Sequence, residues 1–320
     1  MLPPQSPGLT RETMELQPPW ECPDCKRQVR FTADLIDAYF GGKKIVCPSC
    51  SRKDSPWGIA LTMLCGPSPW GLFYPLGATT TVYFTKLFLN TETRINLHDH
   101  GLPEDAIILD LSCSPSRMFC MEMSSNSRRQ RPRGAKLQLF AFQTYTVQDK
   151  SVTEGEVNIA VTWVRSSEAD FSWNNLVAAF DEYASPDFRG AIVPANVSIE
   201  YRLFNLMSSE FGSVCNGTRL KDFLERAATY SYQLNVLLPY VANRYSFPPM
   251  DDHLRGCLNR LRDLRNDLAH RGHFEEDTTK ESCAELLVAA VFAFRYIDRL
   301  RLHIERVQLA EACFKKTSHD

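Results

Sequence analysis

The chain has 320 residues, 44% of them hydrophobic and 23% charged, with a formal net charge of −2. This is an ordinary globular composition, long enough for two domains and a small third. It excludes a membrane-spanning helix, because no run of 18 apolar residues is free of charges, and it excludes a chain-wide basic field, so affinity for nucleic acid would have to come from local patches.

Residues 1–19, rich in proline and without an apolar run, lack the pattern of a signal peptide and are expected to form a flexible leader. There are eleven cysteines. Four fall in two tight pairs, and the other seven are scattered, mostly in apolar segments where a free cysteine acts as a small hydrophobe. With no export signal, the expected compartment is the reducing cytoplasm.

Residues 20–56 carry the pairs, Cys22-Pro-Asp-Cys25 and Cys47-Pro-Ser-Cys50, separated by 21 residues. Structural zinc takes four tetrahedral ligands and suits thiolates, and a C-x-x-C turn offers two sulfurs to one ion while its backbone N–H groups steady their charge. Two such turns joined by a short β element predict a zinc ribbon with structural Zn on Cys22, Cys25, Cys47 and Cys50. A redox site would need one such motif at a helix start. A full thiolate shell leaves no open position, so no catalytic cofactor is expected. Lys26, Arg27, Arg30, Lys43, Lys44, Arg52 and Lys53 predict a basic surface around the ribbon.

From 57 to 168 the apolar pattern has period two, which predicts an antiparallel, β-sandwich-like or jelly-roll-like middle domain. TTTVYFTKLFLN puts Val82, Phe84, Lys86 and Phe88 on one face, and further β-rich runs follow without a long helical pattern. His98, Asp99 and His100 offer either a second metal site or a polar loop after a strand. Between 124 and 134, SSNSRRQRPRG holds Arg128, Arg129, Arg131 and Arg133. It reads as a solvated hairpin loop or as a basic loop that grips an RNA backbone.

From 169 to 320 the period becomes 3.6, predicting an all-α bundle of four or five helices. One helix spans SWNNLVAAFDEYAS, and another has Pro194 early and Gly212 at its end. A third covers TRLKDFLERAATYSYQLNVLLPYVANRY. A fourth has Leu254, Leu258, Leu261, Leu264 and Leu268 on one stripe, acidic residues at its start and Gly272 at its stop. The last runs from about 278 to 315, and its AELLVAAVFAFRYI is apolar all round, as in a helix buried mid-bundle or at a subunit interface. Taken together, the fold class is multidomain α+β.

The fourth helix ends in RNDLAHRG. Asn266 and His270 are i,i+4 partners on one face, with Arg265 beside them. The helix C-terminus favours an imidazolium at His270. A histidine near neutral pKa suits general acid–base work, and arginine suits a phosphate. The plain alternative is a basic helix end paired with Asp263 and Asp267.

LRDLRNDLAHRG near the end of a bundle helix resembles the HEPN superfamily, whose signature is R-x(4–6)-H with a polar residue, commonly Asn, directly after the Arg. Arg265, Asn266 and His270 match it, and the resemblance covers roughly 170–320. A β-rich module and a zinc element beside such a domain resemble the Apea-like subgroup of phage-defence nucleases. The resemblance implies a metal-independent endoribonuclease, a toxin or defence effector cleaving RNA, tRNA among the targets, to 2′,3′-cyclic phosphate ends. It also implies a homodimer, or a higher oligomer, whose two motifs share one active site. Glu200, on another helix, reads as an acidic helper or as a solvated helix residue. The alternative function is a non-catalytic HEPN-like module that binds RNA or protein.

Overall fold

The computed structural model of the chain describes residues 10–12, 19–30, 32–66, 69–88, 91–115, 119–123, 135–143, 154–165, 170–212, 215–273 and 278–317. Strand β1 (Thr10–Glu12) is followed by β2 (Pro19–Glu21), β3 (Gln28–Arg30), helix α1 (Ala33–Phe40), β4 (Ile45–Val46), β5 (Lys53–Asp54) and α2 (Pro56–Leu64). A 3-10 segment (Pro69–Leu76) leads into β6 (Thr79–Phe88), β7 (Glu92–Asn96), β8 (Ala106–Pro115), β9 (Phe119–Met123), β10 (Lys136–Gln143) and β11 (Glu154–Arg165). The rest is helical: α3 (Phe171–Tyr183), α4 (Ile192–Gly212), α5 (Gly217–Asp222), α6 (Tyr230–Tyr232), α7 (Leu238–Arg244), α8 (Asp252–Arg271) and α9 (Lys280–Thr317). The fold is mixed α+β with a C-terminal helical region. Among the described residues, no helix is long and apolar enough to cross a membrane.

Two units divide the chain, one of residues 1–18 and 77–170, the other of residues 19–76 and 171–320. In the first, two antiparallel sheets run in the orders β1-β6-β11-β8 and β7-β10-β9. Side chains of both sheets meet in one apolar cluster, with Tyr83, Leu87, Val157, Ile159 and Val161 from the larger sheet and Ile95, Leu137 and Leu139 from the smaller. Val82, Phe84, Lys86 and Phe88 do share a face of β6, but the opposite face supplies the centre of the cluster. Tyr83 and Leu87 are fully buried, whereas Phe88 is 50% exposed. The expected flexible leader is corrected at Thr10–Glu12. These residues pair antiparallel with β6, Thr10 opposite Phe84 and Glu12 opposite Val82. Since β11 occupies the other edge of β6, β1 covers an edge that would otherwise expose unpaired backbone groups.

In the second unit α9 is the central element. Every residue from Leu286 to Phe294 is buried, as an all-round apolar helix requires. Helix α8 starts and stops where its sequence signals fall. The Asp251 carboxylate accepts from the Leu254 N–H at 3.0 Å, and Gly272 ends the helix at φ 73°. Leu254, Leu258, Leu261 and Leu264 are buried along its stripe.

Two expectations are corrected here. In place of strands, Pro56–Leu64 form a helix and Pro69–Leu76 a 3-10 segment, and both belong to the helical unit. The Ser55 hydroxyl caps α2 by accepting from Gly58 N–H at 3.0 Å, Pro56 sits in the first turn, and Trp57, Ile59, Ala60, Met63 and Leu64 are buried. The buried residues recur at helical spacing while Gly58 and Thr62 are exposed, but a run this short is ambiguous between helix and strand in sequence. The cysteine segment also belongs to this unit, and helix α1, rather than a β element alone, connects its two pairs. The Asp37 carboxylate accepts from Arg295 Nε and Nη2 at 3.0 and 2.9 Å, and Arg299 Nε lies 3.5 Å away. The rings of Tyr39, Phe40 and Trp57 meet Phe292 at centroid distances of 5.0, 6.4 and 5.2 Å. These contacts join the cysteine segment to α9 through a shared core.

Candidate functional site

The two cysteine turns have the same construction. In the first, Lys26 N–H donates to Cys22 O at 2.9 Å and Cys22 N–H to Arg27 O at 2.9 Å. In the second, Ser51 N–H donates to Cys47 O at 3.0 Å and Cys47 N–H to Arg52 O at 2.8 Å. Lys26 and Ser51, each directly after the second cysteine of its pair, both adopt φ 62°. That left-handed step turns the chain back over the sulfurs. Arg52 bridges the turns, pairing with Asp24 in one and with Asp54, at 2.9 Å, beyond the other. Of the expected basic surface, Arg52 is thus ion-paired, as is Lys26 with Glu21 at 3.5 Å.

Cys22 Sγ lies 3.6 Å from Cys50 Sγ, and Cys25 Sγ 3.6 Å from Cys47 Sγ, with all four sulfurs within 4.8 Å of one another. Zn–S bonds of about 2.3 Å in a tetrahedron place sulfurs about 3.8 Å apart, so the cluster is compatible with a zinc site. The backbone N–H groups of Cys50 and Ser49 pull the Cys47 thiol down to about 6. Cys50 receives a backbone hydrogen bond at Arg52, but desolvation and the Cys22, Cys25 and Cys47 thiols push it up to about 12.

The second candidate site lies among the helices. Residues of α4, of the segment between α5 and α7, and of α8 line an open cavity of about 770 Å³. Helix α4 contributes Asn196 and Glu200, and α8 contributes Arg262, Arg265 and Asn266. Arg265 Nη1 donates to Asn266 Oδ1 at 3.0 Å, and Asn196 Nδ2 donates to Glu200 Oε2 at 3.4 Å. Arg262 donates to Asp263 Oδ1 through Nε at 3.0 Å and Nη2 at 2.6 Å.

Tyr230 and Gln233 form part of the wall. Burial raises the Tyr230 phenol well above its ordinary range, and the Glu200 carboxylate adds to the shift. The Gln233 amide donates to Leu224 O at 3.2 Å and Ala228 O at 2.8 Å. This anchoring matters because the chain is irregular there. The helix expected to run unbroken from about 218 to 245 contains two π turns, Phe223–Ala227 and Gln233–Leu237, with a break at Ala228. Gln233 supplies donors to carbonyls that the break removes from the helical ladder.

Arg265, Asn266 and Glu200 thus share one cavity. His270 does not line it: the residue stands one helical turn beyond Asn266, exposed, in the last turn of α8. Arg271 pairs with Asp267 at 3.3 Å. Asn196, Tyr230, Gln233 and Arg262 were not legible as site residues, since they meet only through the fold. His98 and His100 lie in a 3-10 turn after β7. His98 Nδ1 is 3.0 Å from Leu102 O, and neither histidine joins a metal-ligand cluster among the described residues. Arg128, Arg129, Arg131 and Arg133 lie outside the described residues. No protein-family model, curated protein or solved structure matches the chain.

Proposed function

We propose that the helical unit is a HEPN-type endoribonuclease that cleaves RNA without a catalytic metal, and that Cys22, Cys25, Cys47 and Cys50 hold a structural zinc. The observation that carries the proposal is convergence. Arg265 and Asn266 from α8 and Glu200 from α4, far apart in sequence, wall one open cavity, with His270 at the adjoining helix end.

The chemistry follows from the residue types. The RNA 2′-hydroxyl attacks its own phosphorus while a base removes the hydroxyl proton. An acid protonates the departing 5′-oxygen, giving a 2′,3′-cyclic phosphate and a 5′-hydroxyl. Arg265 and Arg262 hold the phosphate and stabilise charge on its oxygens. Asn266 fixes Arg265, and Glu200 is the carboxylate of the cavity. His270 moves a proton. One histidine cannot serve as base and acid in a single step, so a twofold dimer would supply the second from its partner copy.

Purified protein is incubated with RNA in EDTA and the fragment ends are sequenced. His270→Ala is expected to lower the cleavage rate by about 10²–10⁴-fold, and Arg265→Ala to weaken RNA binding as well. Cleavage that required magnesium, or that left 5′-phosphates, would refute the mechanism. The exposure of His270 away from the cavity favours a second reading, in which the cavity binds an RNA phosphate without cleaving it. RNA binding lost on Arg265→Ala, unaffected by His270→Ala and accompanied by no cleavage, would select that reading.

A further inference from the structure

A second group of metal-ligating side chains lies at the opposite end of α8. His253 and Cys257 are four residues apart, one helical turn, and so share a face. Glu285 approaches from the start of α9. The ligand atoms of the three all lie within 4.8 Å of one another, and His253 Nε2 is 3.9 Å from Glu285 Oε1. Asp251, the nearby acid, is committed to capping α8.

We propose that His253, Cys257 and Glu285 bind a divalent transition-metal ion, zinc in the first instance. One thiolate, one neutral imidazole and one carboxylate carry two negative charges and balance a 2+ ion. The mixture of sulfur, nitrogen and oxygen suits zinc and disfavours magnesium and calcium, which take oxygen alone. Metal–ligand bonds of about 2.0–2.3 Å put ligand atoms about 3.3–3.8 Å apart, so binding requires an inward shift of about 1 Å. The two mobile partners can supply it, since the His253 side chain is 53% exposed and that of Glu285 35%. Cys257 is buried and holds the fixed corner, while Trp57 steers the imidazole from one side at a ring distance of 4.7 Å.

The site differs in kind from the four-cysteine cluster. Three protein ligands leave a fourth position for water or a small anion, the arrangement of open rather than closed zinc sites. His253 also borders a separate cavity of about 560 Å³ whose wall includes Lys43, Lys44 and Asp251. Twelve residues of helix separate His253 from Arg265, about 18 Å along the axis, so this ion would not take part in chemistry at Arg265.

The test is metal content. The full-length protein is saturated with zinc, freed of excess by gel filtration and analysed for zinc per chain. The wild type is expected to hold two equivalents, and Cys257→Ala and His253→Ala one each. In a cobalt titration the second equivalent should produce a thiolate-to-cobalt absorption that Cys257→Ala removes. Glu285→Gln, which preserves shape at a half-exposed position, should weaken the second equivalent by at least about tenfold. It decides the matter if circular dichroism shows either other variant to be misfolded. One equivalent in the wild type, or two equivalents retained with unchanged affinity in the folded variants, overturns the assignment.

Discussion

Phe292→Ala tests whether the cysteine segment and the helices form one cooperative structure. Phe292 is fully buried in α9, and its ring touches Tyr39, Phe40 and Trp57, which lie on either side of the second cysteine pair. Truncating a buried phenylalanine costs about 3–5 kcal/mol. Each lost ring pair adds about 0.5–1.5 kcal/mol beyond area burial, which puts this site near the upper end, about 5 kcal/mol. For a domain of this size each kcal/mol moves the melting temperature by about 2–4 °C, so the helical transition should fall by about 10–20 °C. Loss of the same contacts loosens α1, so zinc should pass to a chromophoric chelator faster than from the wild type. Circular dichroism melts and chelator kinetics on one preparation read both effects. A lowered melt with an unchanged zinc-release rate would refute the shared-core argument and restore an independent ribbon.

Three further outcomes follow from the same structure. Cys22→Ser combined with Cys47→Ser should lower the helical melt as well as zinc content, because metal present at about 1,000 times its dissociation constant contributes about 4 kcal/mol to whatever unit it belongs to. A helical transition that did not move would separate the two. Glu210 is buried and accepts hydrogen bonds from Arg244 Nη1 at 3.0 Å and Tyr245 Oη at 2.9 Å, so Glu210→Ala should cost about 2–3 kcal/mol in urea denaturation, with Glu210→Gln recovering part of the loss. Gly272→Ala should cost about 1–2 kcal/mol, since φ 73° is unfavourable for a side chain even though nothing crowds the added methyl, and Gly272→Asn should cost less by the same measurement.

What was legible in the sequence depended on whether the signal was local. The limits of α8 were readable because Asp251 and Gly272 act within one turn of the helix they bound. The four cysteines were readable because ligand spacing is itself a local constraint, and they do lie together. Residues 57–76 were misassigned although Trp57, Ile59, Ala60, Met63 and Leu64 are buried at helical spacing with Gly58 and Thr62 exposed, because so short an apolar run is ambiguous between helix and strand when it is read as the start of a β-rich segment. Attachment of the cysteine segment to α9 could not be seen, because Asp37 and Arg295 are 258 residues apart.

The candidate cavity illustrates the same limit from the functional side. A pattern read at 3.6 residues per turn carries one straight helix through residues 218–245 and assigns Tyr230 and Gln233 to positions along it. Each π turn inserts an extra residue into the hydrogen-bonded ring and rotates everything after it by about 100°. Two such turns, with a break between them, set which side chains face α4 and α8. Gln233 compensates the interruption through its amide bonds to Leu224 and Ala228, and so both holds the irregular segment and helps to wall the cavity. Gln233→Leu keeps the volume but removes those donors. It should reopen two buried carbonyls at about 1–3 kcal/mol each and disturb the cavity more than an equally destabilising core change elsewhere. RNA binding compared between Gln233→Leu and a core variant of matched stability, such as Leu300→Ala, measures the difference. Equal binding by the two would mean that the irregular segment serves the fold and not the cavity.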